Sequence, residues 1–248
     1  MRPLAAATRT GSPASARQRR EGARSIVAGA APWALLTMAC DAAWAQGAAV
    51  DTWHARVGTS PTAAGAARPA VDGRDLLFGG AQRMSGASGL LGGVSGATAF
   101  AVVQATSTSG QIYAYGTGPY YAGKRSTMGK TAALTVAVGN GESDVDDRTT
   151  SYHTIGSGMR TLAAWHDRSA ASGSETQCYD DGNIAPLSSA FDNDTTGNFA
   201  SGEALTIGAY STGSSYVTGR YRAIGLVAAA LPAGEVRRLS LLLESACG

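Results

Sequence analysis

Residues 204–248 read ALTIGAYSTGSSYVTGRYRAIGLVAAALPAGEVRRLSLLLESACG, and their pattern indicates how the chain ends. A short apolar run, a Gly/Ser-rich turn and a longer run over residues 216–231 have the character of two strands. Pro232 breaks the second run. Apolar side chains then recur at helical spacing, and Glu235 lies in the first turn, where the helix dipole favours a negative charge. The segment therefore predicts a strand, a turn, a second strand and a short terminal helix.

The composition favours one all-β domain preceded by a tail. The chain has 248 residues, 33 glycines and only 15% charged residues, so uncharged polar residues must supply much of the surface polarity. The net charge of +2 is uneven, because residues 1–24 hold six arginines and one acid, Glu21. We predict a disordered basic tail over residues 1–25. The remainder is slightly acidic, which argues against a nucleic acid as the partner of the domain.

The middle of the chain carries the other strand signals. Strands are expected over residues 98–105, 110–115, 132–138, 152–155 and 159–166. The first of these is a continuous β-branched and aromatic run and gives the clearest core strand. The last two are expected to pair with each other across Gly156-Ser157-Gly158. The predicted core contains Phe78, Phe100, Val102, Leu134, Val136, Leu162, Ile207, Ile224, Leu226, Leu239 and Leu242.

Turn and loop signals separate these strands. Residues 176–179 lead into Asp180-Asp181-Gly182-Asn183, which resembles a known hairpin motif in which a short strand turns at Asp-Gly. Residues 116–130, 139–151 and 184–201 are rich in Gly and polar side chains, and we expect them to form loops.

Several motifs resemble those of a known superfamily. Ile207-Gly208-Ala209 is followed by Val217-Thr218-Gly219-Arg220-Tyr221, and then by Leu231 with Glu235. This order resembles the end of laminin-G-like domains of bacterial and phage type, in the concanavalin A-like lectin/glucanase superfamily. The resemblance implies an all-β fold over residues 26–248: a two-sheet antiparallel jelly-roll sandwich with a short C-terminal helix.

Two interpretations of the apolar residues 26–39 stay open. Basic residues before this run and Ala43-Trp44-Ala45 after it are typical of a secretory signal cleaved after Ala45. The run is too short for a convincing membrane span. The family resemblance implies instead that residues 35–39 form the first strand. We predict that residues 35–41 are retained, because their loss would expose the edge of the strand near residues 221–231.

No residue pattern matches that of a known enzyme class. Glycan hydrolases of the superfamily carry paired carboxylates on a strand, commonly as E-x-D-x-x-E, whereas the nearest match, Glu142-Ser143-Asp144-Val145-Asp146-Asp147, lies in a predicted loop at a different spacing. Residues 123–131 do not fit the frame of a phosphate loop. The three histidines have no evident nucleophile partner. Cys40, Cys178 and Cys247 lack the spacing of metal ligands, and their odd number leaves at least one free thiol.

One loop has the spacing of a calcium site. Residues 192–203 read DNDTTGNFASGE, which places Asp192, Asp194, Thr196 and Glu203 at ligand positions of a calcium loop. No flanking helices are predicted, so an EF-hand is excluded. A calcium site at the rim of a sandwich and an ordinary polar loop are both compatible with the pattern, and no cofactor is required.

Aromatic residues supply the candidate ligand-binding site. Tyr113 and Tyr115 share parity on one predicted strand and are expected to pack on one sheet face. Exposed aromatic side chains can stack on sugar rings and hydrogen-bond to hydroxyl groups. The candidate ligand-binding residues are Tyr120, Tyr121, Trp165 and His166. For His166, a polar residue at a strand end is the alternative interpretation.

The expected function is recognition without catalysis. We expect a module that binds a glycan or a cell-surface partner, within a phage-like structural protein or a secreted protein, and hence a virion-associated or extracellular location. A structural domain that assembles with virion or cell-wall proteins is one alternative. A glycan hydrolase is the other, with an atypical acid pair drawn from Asp144, Asp146, Asp180 and Asp181.

Overall fold

Two antiparallel sheets face each other in the computed structural model of the protein. It describes residues 16–41, 43–116, 125–141, 148–171, 174–192, 197–210 and 214–247. The predicted two-sheet sandwich with a short C-terminal helix is confirmed.

The strands in chain order are β1 (Trp33–Met38), β2 (Ala55–Val57), β3 (Ala70–Asp72), β4 (Asp75–Gly79), β5 (Met84–Ser88), β6 (Gly96–Ala105), β7 (Gly110–Tyr115), β8 (Arg125–Ala132), β9 (Thr135–Gly141), β10 (Arg148–Thr154), β11 (Arg160–Asp167), β12 (Thr176–Asp180), β13 (Asn183–Ile184), β14 (Leu187–Asp192), β15 (Ala204–Ile207) and β16 (Thr218–Val227). The helices are α1 (Ala16–Gly29) and α2 (Ala233–Cys247), with 3-10 turns at Ala39–Asp41 and Gly65–Ala67. Sheet A has the order β13-β12-β11-β6-β16-β1-β2, and β4 also pairs with β16 and β3. Sheet B has the order β14-β10-β9-β8-β7-β15-β5.

Strand β6 lies at the centre of sheet A, between β11 and β16. Its residues from Gly96 to Val103 are all buried. Ala101 and Val103 face the sandwich interior, whereas Phe100 and Val102 pack beneath the helices on the outer face. Because both faces of β6 are covered, its sequence is a continuous apolar run rather than an alternating one.

Two glycines in the C-terminal motifs are required by close packing. Gly208 has φ +84°, and a Cβ atom there would lie 2.5 Å from the Phe78 ring. A Cβ atom on Gly219 would lie 2.4 Å from the carbonyl oxygen of Gln104, on the neighbouring strand β6. These positions therefore exclude larger residues for steric reasons.

Strand β1 pairs with β16 on one edge and with β2 on the other. Its side chains Leu35, Leu36 and Met38 are buried, and the Trp33 ring packs against Gly225 of β16. The predicted first strand is therefore present, although Ala39–Asp41 is a 3-10 turn rather than its end. Retention of residues 35–41 in the mature protein stays a prediction.

The two helices pack against each other on the outer face of sheet A. Helix α1 crosses residue 25, where the sequence analysis placed the end of a disordered tail, and residues 1–15 lie outside the described residues. Tertiary contacts stabilise this helix: Val27 is fully buried, and Arg238 donates to the Ala30 carbonyl at 2.8 Å. No helix in the described part of the chain is long and apolar enough to cross a membrane.

Three sequence-based expectations are wrong. Residues 152–155 and 159–166 do not pair, because β10 belongs to sheet B and β11 to sheet A, and residues 156–158 cross between the sheets. Strands β8, β10 and β14 extend into the three segments predicted to be loops. Leu134 lies at the β8–β9 turn and is 47% exposed, so it is outside the core. The other predicted core residues are buried, except Leu242, which is half-buried.

Candidate functional site

The structure separates the two candidate ligand-binding residues on β11. Consecutive residues of a strand point to opposite faces of its sheet. Trp165 lies on the outer face and is partly buried beside the helices. His166 points into the sandwich and is fully buried. The other two candidates, Tyr120 and Tyr121, lie outside the described residues.

Trp165 forms one wall of a shallow recess on the outer face of sheet A. The recess has a volume of about 240 Å³, and its lining includes Ser174, Gln177, Tyr179 and Ile184. The indole N–H of Trp165 donates to the Leu231 carbonyl at 2.9 Å, which holds the ring in place. The recess therefore combines a fixed aromatic ring with an amide and a hydroxyl group.

Strand register brings the lining residues together. Gln177 is the cross-strand partner of Trp165, and Tyr179 is paired with Ile184. The β12–β13 hairpin turns at Asp181 and Gly182, with φ of 48° and 77°, as the Asp-Gly sequence predicts. Gln177, Tyr179 and Ile184 were not predicted as site residues from the sequence. The hairpin signal, combined with a correct β11–β12 pairing, would have placed them beside Trp165.

His166 occupies an apolar environment. Its ring lies 6.2 Å from the Phe199 ring, and neither ring nitrogen has a hydrogen-bond partner among the described residues. Burial, together with the nearby positive charge of Arg168, lowers the pKa of His166 to about 3. His166 is therefore neutral at physiological pH and lies away from the Trp165 recess.

Two of the four candidate acids are engaged in structural contacts. Asp180 accepts from Arg160 Nε at 2.7 Å and from the Gly156 backbone N–H at 2.8 Å. Asp181 accepts from the Thr161 backbone N–H at 2.8 Å and forms an ion pair with Arg160 at 2.8 Å. All four carboxylate oxygens thus have donors, which fix the hairpin to the start of β11. Asp144 and Asp146 lie outside the described residues.

Most of the predicted calcium loop lies outside the described residues. Asp194, Thr196 and the side chain of Asp192 lie outside the described residues. Glu203 is described, and its Oε2 is buried without a hydrogen-bond partner in the described part of the chain. No group of three His, Cys, Asp or Glu side chains that could hold a metal occurs within the described ranges. The calcium site stays a prediction.

Tyr113 and Tyr115 pack inside the sandwich, as their shared parity predicts. The Tyr113 hydroxyl lies 2.6 Å from Ser126 Oγ, and the Tyr115 hydroxyl donates to the Ala200 carbonyl at 3.0 Å. Burial raises the pKa of both phenols. Cys178 is fully buried, as expected for a small apolar residue, and burial raises the pKa of its thiol.

No protein-family model matches the chain, and no curated protein matches it in sequence. Solved structures resemble it in fold. A carbohydrate-binding module (CBM40) of the Ruminococcus gnavus IT-sialidase, bound to α2,3 sialyllactose, matches with a TM-score of 0.50 and 12% identity, over 67% of this chain and 96% of the module.

Two larger proteins also resemble the chain over part of their length. A Trypanosoma rangeli sialidase in complex with sialic acid matches with a TM-score of 0.57 and 13% identity, over 91% of this chain and 38% of the sialidase. A botulinum neurotoxin type C structure matches with a TM-score of 0.54 and 9% identity, over 76% of this chain and 48% of that one. At such identities the likeness shows the fold alone, an all-β sandwich, and the laminin-G assignment stays a prediction.

Proposed function

We propose that the protein is a non-catalytic recognition module that binds a glycan at the Trp165 recess. The observation that carries this proposal is the fixed indole ring beside Gln177 and Ser174. Sugar rings have apolar C–H faces and polar hydroxyl edges, so an aromatic ring flanked by amide and hydroxyl groups suits them. Because Trp165 is already held by its hydrogen bond to Leu231, little side-chain entropy is lost on binding.

Proteins of similar fold support a glycan as the ligand class. The Ruminococcus gnavus module is bound to sialyllactose, and cell entry of the botulinum neurotoxin depends on interaction with two ganglioside molecules. Fold similarity is an associational argument, so the chemistry of the recess carries more weight. The biological setting that we propose is a secreted protein or a phage-like structural protein.

A role without catalysis agrees with the state of the described acids. Each carboxylate oxygen of Asp180 and Asp181 has one donor, and Arg160 contacts both side chains, so these acids are engaged in contacts within the fold. A hydrolase would need such a pair on either side of the scissile bond.

A glycan array with the full chain tests the proposal. We expect binding to a restricted set of glycans, and an affinity loss of about tenfold or more for Trp165→Ala, equivalent to about 1.4 kcal/mol. Trp44→Ala is the matched control, because Trp44 is also a partly buried tryptophan but lies away from the recess. A blank array would overturn the proposal and favour a structural assembly domain, and equal binding by Trp165→Ala would remove the recess as the site.

A further inference from the structure

A cleft opens between the two sheets where residues 156–158 cross from one to the other. It has a volume of about 120 Å³, room for several water-sized groups. The end of β6, the β8–β9 turn and the start of β11 also line it. The exposed Leu134 lies at this cleft.

Lys130 lines this cleft and is only 3% exposed. Its ammonium group donates to the Ala133 carbonyl at 2.6 Å. An ammonium group has three N–H donors. Among the described residues no carboxylate forms an ion pair with Lys130, and burial lowers its pKa. A buried charge is normally paired, because removing an ion from water without compensation is costly.

The second cation of the cleft, Arg160, is already paired with two carboxylates. Arg160 contacts Asp180 at 2.7 Å and Asp181 at 2.8 Å, and these acids are held by backbone N–H groups. The other polar lining residues include Gln104, Thr106 and Ser157, none of which carries a charge. The described lining therefore has one positive charge without a counter-ion, beside a cavity that is open to solvent.

We propose that this cleft binds the carboxylate of an acidic ligand through Lys130, with Leu134 contacting the body of that ligand. We infer that the ligand is an acidic sugar such as a uronic acid. The choice of a sugar rests on the proposed glycan-binding function, whereas the carboxylate site at Lys130 does not. Arg160 and Trp165 lie five residues apart on β11, about 17 Å at the rise of an extended strand, and their side chains have opposite parity. The cleft and the Trp165 recess are therefore separate sites.

The lysine content of the chain gives a direct test. Lysine occurs only at positions 124 and 130, so protein labelled with 13C at lysine Cε should give two signals, assigned with Lys130→Met. We expect D-glucuronate to shift the Lys130 signal in a saturable manner and to raise the titration midpoint of this lysine. D-Glucose, which lacks the carboxylate, should leave the signal in place.

Other ligands and variants test the carboxylate site and the acidic sugar separately. A shift with acetate that equals the shift with glucuronate supports a carboxylate site but refutes the acidic sugar. A Lys130 signal that responds to neither carboxylate, or equally to glucose, overturns the site. The response should persist in Trp165→Ala, so failure of the proposed function would be recognised separately. Lys124→Met is the control for loss of a lysine elsewhere, and the measurement on the wild-type protein stands even if Lys130→Met fails to fold.

Discussion

Acidification should destabilise the protein through His166. The folded state holds this ring neutral, with a pKa of about 3, whereas an unperturbed histidine has a pKa of 6.5. The unfolded chain therefore binds a proton that the folded protein excludes, so the free energy of unfolding falls as the pH drops below 6.5. At pH 5 the loss relative to pH 8 is about 2 kcal/mol from this residue. This loss depends mainly on the pKa of His166 in the unfolded chain, because the residue is still neutral in the folded state at pH 5.

The variant His166→Phe removes the titrating group and keeps an aromatic ring next to Phe199. We expect its free energy of unfolding to fall by about 2 kcal/mol less than that of the wild type between pH 8 and pH 5. At pH 8 its stability should match or exceed that of the wild type, because two unpaired ring nitrogens are removed. Urea titrations followed by circular dichroism at the two pH values measure both quantities.

The two other histidines of the chain also bear on this experiment. His153 is also buried, and its pKa is lowered by burial, partly offset by a 3.0 Å hydrogen bond to the Ala185 carbonyl, so it adds to the acid sensitivity in the same direction. His54 is exposed, and His54→Phe is the matched control for the loss of a histidine elsewhere in the chain. If His166→Phe loses as much stability as the wild type on acidification, the reasoning about a neutral buried ring is refuted.

Three further predictions concern backbone geometry, the first strand and calcium. Gly208→Ala should destabilise the fold by about 2 kcal/mol or more, because φ is positive and the new Cβ atom would meet the Phe78 ring. Chemical denaturation measures this loss, with Gly234→Ala as the control, because a Cβ atom at Gly234 would have no neighbour within 4 Å. Deletion of residues 1–45 should abolish cooperative unfolding, because the buried β1 side chains Leu35, Leu36 and Met38 each contribute about 1.5–3 kcal/mol; intact mass spectrometry of the natural protein would contradict retention if the terminus is Gln46. Calorimetry should detect calcium binding that is lost in Glu203→Gln, and heats no larger than dilution would remove that idea.

The C-terminal segment was the part of the fold most open to prediction. Its turn glycines and its helical periodicity are local signals. Gly208 and Gly219 belong to the recognised sequence motifs, and close packing explains why both positions require glycine. The pairing of residues 152–155 with 159–166 failed because a short glycine-containing connection has the same local pattern in a hairpin as in a crossing between sheets. Long-range pairing, rather than propensity, separates the two cases.

The candidate site could be predicted from the sequence only in part, for the same reason. Trp165 was identified by its aromatic character, but its partners Gln177 and Tyr179 come from β12 and depend on strand register. Phe199 was hidden in a polar segment, although it packs against Tyr115 and His166. Lys130 was not recognised because nothing in the local sequence indicates that a lysine next to a turn is buried.

The position of β1 also constrains synthesis. Trp33 pairs with Val227, so one of the first strands to be translated must wait for one of the last before its edge is closed. At about 5–20 residues per second this delay is roughly 10–40 s. During that interval the β1 edge that pairs with β16 stays open, and sheet A cannot be completed. Chaperones that bind such segments therefore have a defined time in which to act on this protein, and an export pathway that requires an unfolded substrate would have the same interval available.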